Sequence, residues 1–222
     1  MTFQRARRPE QLAARRAAIL TSAREMLAEK AVADISLREL SDRIGLAKSN
    51  VLRYFDSREA IFLEILDEEF DGWLADLEEG LGKPRARKPN YANEIRVATV
   101  IADSLTERQS LCELVASMAV VLERNISYTF ARDFKARATA RIAELAQLVA
   151  THLPWLPRDF ADFFAEGALT LLAGMYPFSV PTEPVRAAIA ELGIPEPEER
   201  FRDGLRMGLS TWLIGAAAQT GA

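Results

Sequence analysis

Residues 37–55, LRELSDRIGLAKSNVLRYF, admit very few backbones. Ser41 is followed four positions on by Gly45, and six after that by Val51. That spacing suits two short helices crossing at a tight turn: a small side chain lets the axes approach, a glycine takes the positive φ, and an aliphatic residue fills the angle between them. Leu37, Leu40 and Ile44 are expected to bury the first helix of the pair, and Val51, Leu52 and Phe55 the second. Lys48, Ser49, Asn50, Arg53 and Tyr54 then remain for the outer face of the second helix. These are donors of the kind that meet phosphate oxygens and base edges, on a helix of major-groove size.

The flanking sequence reads as helix throughout, and no run of strict alternation bounded by turn residues makes a strand, so the fold class is all-α. A first helix is expected over residues 10–29, with Leu12, Ile19, Ala23, Met26 and Leu27 as its apolar stripe. Ser36 and Glu39 form a capping box for the second helix, which Gly45 ends, and residues 47–54 form the third. Asp56 followed by Glu59 announces a fourth, running through Ile61, Ile65, Phe70 and Leu74. Residues 82–90, GKPRARKPN, read as a linker. Helices resume over 91–106, 109–123, 128–152, 158–176, 184–192 and 197–218. Pro184 suits the start of its helix and Gly193 the left-handed position just past the end.

Charge is divided along this chain. The total of -4 speaks against a uniformly basic surface. Residues 1–60, however, hold 12 Lys and Arg against 8 Asp and Glu, a surplus of +4 that leaves -8 for the rest. The acid is densest from Glu64 to Glu79, where Glu64, Asp67, Glu68, Glu69, Asp71, Asp76, Glu78 and Glu79 occur with no basic residue among them. A basic head on an acidic body marks an anion-binding module. One Cys and one His exclude a disulfide scaffold and an ordinary zinc module. No apolar run reaches the roughly 20 residues that span a bilayer, and the N-terminal arginines lead into no secretory core, so a reducing cytoplasm is the expected compartment.

The N-terminal helix followed by Ser36-Leu37-Arg38-Glu39-Leu40, Gly45-Leu46, Asn50-Val51-Leu52-Arg53-Tyr54-Phe55 and Asp56-Ser57-Arg58-Glu59-Ala60-Ile61 resembles the DNA-binding head of TetR-family transcriptional regulators, over roughly residues 18–66. It departs from the family pattern at two positions. Ala47 stands where a hydroxyl residue usually caps the recognition helix, and Leu52 where a tyrosine usually meets a phosphate. The resemblance implies a three-helix helix-turn-helix head over residues 1–56, joined by a long fourth helix to a larger ligand-binding and dimerisation body over 57–222. It carries Ser36, Lys48, Ser49, Asn50, Arg53, Tyr54 and Arg58 into the DNA-facing set, with Lys48, Asn50 and Arg53 toward bases and Ser36 and Arg58 toward phosphates. Arg5, Arg7 and Arg8 are a weaker candidate, as an arm entering the minor groove.

For the body the resemblance implies a homodimer built from the last long helices. Phe160, Phe164, Leu171, Leu205, Leu209 and Trp212 are its expected contact residues, and small Gly204 and Gly208 would let a partner helix approach. Such a dimer spaces two recognition helices about 34–36 Å apart, one DNA turn, to match a palindromic operator. Cys112, Met118, Leu122, Phe130, Phe134, Trp155, Phe163 and Tyr176 are candidates for an apolar pocket, and the family expectation is a small apolar or amphipathic effector there that releases a repressor from its operator.

Two other classes compete. A helical enzyme would need a constellation, yet Cys112 and His152 sit on different expected helices without a third partner, and carboxylates such as Glu68 and Glu69 read as a solvated face. His152, before Pro154, reads as a helix cap or surface residue. No catalytic residue, metal site or cofactor is expected. A protein-binding helical adaptor is separated from a DNA regulator by duplex binding that weakens steeply with salt.

Overall fold

The computed structural model describes residues 3–220, with side chains from residue 9 onward. It is all-helical, with no strand among the described residues. Among the described residues ten α-helices follow one another: α1 Phe3–Glu29, α2 Leu37–Arg43, α3 Lys48–Val51, α4 Arg58–Leu81, α5 Ala92–Thr106, α6 Gln109–Ser117, α7 Tyr128–His152, α8 Arg158–Met175, α9 Glu183–Glu191 and α10 Pro197–Gln219. No single helix among the described residues is long and apolar enough to cross a membrane.

The chain divides into two compact units. The first holds Met1–Glu68 and Ser117–Lys135, and so combines α1 to α3, the first part of α4 and the start of α7. Its core is made by Ile19, Ala23 and Met26 of α1 with Val32, Ile35, Leu40, Val51, Phe55, Ile61 and Phe62, all buried. Leu12, expected on the same stripe as Ile19, is half-exposed, because apolar packing on α1 begins only one turn before Ala23. The helix also starts earlier than its pattern indicates, passing through Pro9. The side chains of Arg5, Arg7 and Arg8 lie outside the described residues.

The expected cap of α4 is corrected by one residue. Ser57, not Asp56, caps it, its hydroxyl accepting from the Ala60 amide at 3.1 Å. Asp56 accepts instead from the Ser127 amide at 2.7 Å, and Asn125 donates to Glu59 at 3.5 Å, so the segment before α7 is fastened to the start of α4. The helix expected over 109–123 widens into a π turn at Met118–Leu122, closed by the Glu123 amide on the Met118 carbonyl at 3.0 Å.

The second unit, Glu69–Ala116 and Ala136–Ala222, is built on α5 and α10 packed along each other, with α8 against α10. Val97, Ile101 and Leu105 of α5, Phe164 and Leu172 of α8, and Leu205, Leu209 and Leu213 of α10 are buried there. Trp73 of α4 is fully buried and donates its indole N–H to the Ser104 hydroxyl at 2.9 Å. Residues 82–90 are exposed yet fastened: Asn93 donates to the carbonyls of Arg85 and Ala86, and the Arg87 guanidinium lies 5.3 Å from the centre of the Trp155 ring.

His152 is a correction. It is buried rather than a surface cap, with Nδ1 3.4 Å from the Arg96 guanidinium. Burial, reinforced by the Arg96 charge, lowers the imidazole pKa below its usual value. The folded chain therefore binds this proton less readily than the unfolded chain, and the contribution of neutral His152 is present above the unfolded value of about 6.5 and lost as pH falls through it. Between pH 7.5 and 5.5 the melting temperature should drop less in His152→Gln than in the wild type, as thermal melts monitored by circular dichroism will show.

Candidate nucleic-acid interface

Ser36 starts the geometry of the head. Its hydroxyl accepts from the Glu39 amide at 3.2 Å, while the Glu39 carboxylate accepts from the Ser36 amide at 2.9 Å, completing the expected capping box. Lys30 donates to Glu39 at 2.5 Å, and Lys30 with Ser36 lowers the Glu39 pKa to about 2. Arg43, at the far end of α2, grips Glu29 with both terminal nitrogens at 2.8 and 2.7 Å. Each end of α2 is thus fixed to the end of α1.

The turn into α3 follows the spacing that Ser41 and Gly45 suggested. Ser41 is buried, Gly45 has φ of 66°, and the Leu46 amide closes back on the Ser41 carbonyl at 3.0 Å. No side chain caps α3 at Ala47, as the departure from the family pattern anticipated. Gly45→Ala should destabilise the protein by about 1–2 kcal/mol, because a side chain in the left-handed region meets its own backbone. Urea denaturation measures this directly, and an unchanged midpoint would mean that the turn relaxes into another conformation.

Val51 is fully buried, while Lys48, Ser49 and Asn50 on α3 and Arg53 in the turn that follows it stand exposed; the helix expected over 47–54 ends at Val51 and continues as a turn through Tyr54. None of these four side chains makes a hydrogen bond or ion pair among the described residues, so their donors face solvent. Leu52, expected in the core, is instead 46% exposed. It follows Lys48 by four residues and shares its outward stripe, whereas Val51 lies about 100° away around the helix. Tyr54 is half-buried.

Two further residues depart from their expected roles. Arg58 faces inward: its guanidinium donates to the carbonyls of Ile35 at 2.8 Å and Val32 at 3.2 Å and lies over the Phe62 ring. Ser36 holds its hydroxyl in the capping box. Arg16, which sequence reasoning passed over, donates to the Tyr54 carbonyl, pairs with Glu64, and stacks 4.2 Å from the centre of the Phe55 ring. It joins α1, the end of the recognition segment and α4 through one side chain.

The profile described as "Bacterial regulatory proteins, tetR family" matches residues 19–65, and that described as "Tetracyclin repressor-like, C-terminal domain" matches residues 67–220. The chain belongs to the TetR family of transcriptional regulators. Members of this family bind DNA through a helix-turn-helix head and are regulators rather than enzymes. The HTH-type transcriptional regulator RutR of Escherichia coli strain K12 is 31% identical over 71 residues, which cover 32% of this chain and 34% of that protein. The chain therefore matches about a third of that relative's length. A TetR-family transcriptional regulator from Bordetella parapertussis 12822 has the same fold, with a TM-score of 0.51 at 16% identity, covering 92% of this chain and 96% of that one.

In the TetR body, the residues expected to line a pocket or a dimer face differ widely in burial. Phe163, expected in the pocket, is 64% exposed and lies against Trp212, ring centres 6.2 Å apart. Phe164, Leu205 and Leu209, expected on the face offered to a partner, are buried inside the chain, where the two α10 residues join the packing against α5. Phe160 and Leu171 are half-buried, and Trp212 is exposed. Gly204 and Gly208 serve contact within the chain: a Cβ on Gly208 would come within 2.6 Å of Leu171, and one on Gly204 would collide with Met175.

Of the other pocket candidates, Cys112 and Tyr176 are buried in the second unit, while Met118, Leu122, Phe130 and Phe134 belong to the first, where Phe130 and Phe134 stack. Burial pushes the Cys112 thiol and the Tyr176 phenol each up to about 12, so both are neutral at physiological pH. The thiol donates to the Leu105 carbonyl at 3.2 Å and Tyr176 packs edge-on against Phe201. A neutral, buried thiol of this kind is a poor nucleophile. Trp155 is half-buried and donates to Glu94 at 2.8 Å.

Proposed function

We propose that this chain is a homodimeric repressor that binds a palindromic operator in the cytoplasm and is released by a small apolar or amphipathic effector. The observation that carries the reading is the outer face of α3 and of the turn after it, where Lys48, Ser49, Asn50 and Arg53 present unpaired donors beside a helix whose inner side is fixed by Val51. Lys and Arg suit guanine O6 and N7, and Asn suits adenine N6 and N7. Tyr54 adds a phosphate contact at the edge, while Arg58 and Ser36 act by holding the head in shape.

Dimerisation is supported by the apolar surface that α8 and α10 leave uncovered, where Phe163, Met207 and Trp212 are exposed. A two-fold contact through this face pairs two heads, and a dimer seated on a promoter blocks polymerase without further machinery. The effector reading rests on the family and on the buried Cys112, Tyr176 and Phe201 cluster, where the phenol is a polar handle among apolar groups. An effector must prefer the conformation that fits the operator poorly, and its coupling cannot exceed that preference.

Selecting bound duplexes from a random pool at two salt concentrations tests the reading. Enrichment of an inverted repeat with half-sites about one turn apart is expected, and no enrichment at either concentration would sink it.

A further inference from the structure

Where the 82–90 segment meets the start of α5, a cavity of about 490 Å³ is lined by Arg87, Lys88, Pro89, Asn90, Tyr91 and Glu94. Its walls carry both signs of charge. Glu94 is buried, with only 2% of its surface exposed, and its Oε1 accepts from the Trp155 indole at 2.8 Å. A glutamate at the third position of a helix ordinarily turns back to cap the helix start, yet the start of α5 at Tyr91 has no side-chain cap. Glu94 Oε2 therefore makes no hydrogen bond or ion pair among the described residues. Arg87 lies 5.3 Å from the centre of the same Trp155 ring, and Lys88 stands exposed beside it. Neither cation forms an ion pair among the described residues. The indole takes Arg87 on its face and Glu94 at its N–H edge, so opposite charges share one cavity without closing on each other. The wall is held in place. Asn93 donates to the carbonyls of Arg85 and Ala86, and Asn90 and Tyr91 bend the chain with φ of 58° and 56°, a conformation that side chains of this size rarely adopt.

We propose that this cavity binds a free α-amino acid, its carboxylate against Arg87, Lys88 and the uncapped first amides of α5, and its ammonium group against Glu94. The pairing of charges selects the class. A simple anion meets the Glu94 carboxylate, and a simple amine meets Arg87 and Lys88, whereas a ligand that holds both charges a few bonds apart satisfies each wall. The carboxylate also gains from the helix start, where backbone N–H groups and the positive end of the dipole converge. Size agrees, since small-molecule sites occupy roughly 300–1,000 Å³. The cavity shares no residue with the Cys112, Tyr176 and Phe201 cluster to which the apolar effector is assigned above.

The test is the indole N–H resonance of Trp155 in the full chain, assigned through Trp155→Phe and titrated with each of the standard L-amino acids. Any that binds is compared with the matching acid lacking the amino group and with its α-amino amide. At least one amino acid should shift the resonance saturably, and the two analogues should each bind at least about tenfold more weakly, as the loss of a charged hydrogen-bonding group requires. Glu94→Gln, which keeps an acceptor for the indole, and Lys88→Ala should weaken binding by a similar factor. No shift with any amino acid would overturn the site, and equal affinity for the acid lacking the amino group would overturn the role of Glu94 and the proposed class with it. Should Glu94→Gln fail to fold, Arg87→Ala with Lys88→Ala decides: both side chains are exposed, so lost binding supports the site and wild-type affinity refutes it. Operator binding is not read in this experiment, so the repressor reading stands or falls separately.

Discussion

Replacing Lys48 and Arg53 together by alanine should weaken binding to the selected operator at least about 100-fold at physiological salt, since a good bidentate base contact contributes about 1–3 kcal/mol of discrimination. The two side chains are exposed and make no hydrogen bond or ion pair within the described residues, so the melting temperature should stay essentially unchanged. Binding measured against salt adds a second readout. Where the two cations reach bases, affinity for the operator collapses toward that for random duplex, and specificity goes with it. Were they instead purely phosphate contacts, operator and random duplex would weaken in parallel and the salt slope would shrink by about one for each charge lost. Fluorescence anisotropy on operator and scrambled duplexes at 50 and 200 mM salt separates the two cases. Retention of full operator affinity by the double variant would exclude the outer face of α3 as the reading surface.

A linear sequence carries local constraints far better than contacts between distant segments. The turn between α2 and α3 was legible because its constraints are local: a small residue, a glycine at φ of 66° and a buried valine stand within eleven positions of one another. The capping box at Ser36 is local too, and the long helices followed from apolar periodicity over many turns. What escaped depends on partners distant in sequence. The acidic run on α4 resembled a solvated face, yet Glu64 and Glu68 meet Arg16 and Arg24 of α1, and Asp71 and Asp76 meet Arg141 and Arg108. These pairs span 32 to 70 residues, so periodicity carries no trace of them. The inward course of Arg58 is hidden for the same reason, its carbonyl acceptors lying 23 and 26 residues upstream. On α8 and α10, apolar residues surround much of each helix, and composition leaves open which side another helix of the same chain covers. Phe163 and Phe164, adjacent in sequence, have opposite fates.

Arg16→Ala should cost about 2–3 kcal/mol of stability and lower operator affinity at least about tenfold, without removing any group from the DNA-facing surface. The substitution deletes a charged donor from the Tyr54 carbonyl, a cation from the face of Phe55 and a partner from Glu64. The α3 helix is four residues long, its start lacks a side-chain cap, and its inner side depends on Val51. Arg16 is therefore a positioning residue: it fixes where the recognition segment ends and how that end meets α4. Arg16→Lys restores the charge facing Glu64 but cannot reproduce the forked contact to carbonyl and carboxylate or the planar stacking on Phe55. It should recover part of the stability and less of the affinity. Purely structural damage would lower the active fraction of protein and leave the dissociation constant of the folded molecules at its wild-type value. Titrating the active fraction alongside the affinity, well below the melting temperature, separates that outcome from a shifted recognition helix. If folded Arg16→Ala binds the operator as tightly as the wild type, the orientation of α3 is set by Val51 and the Gly45 turn alone.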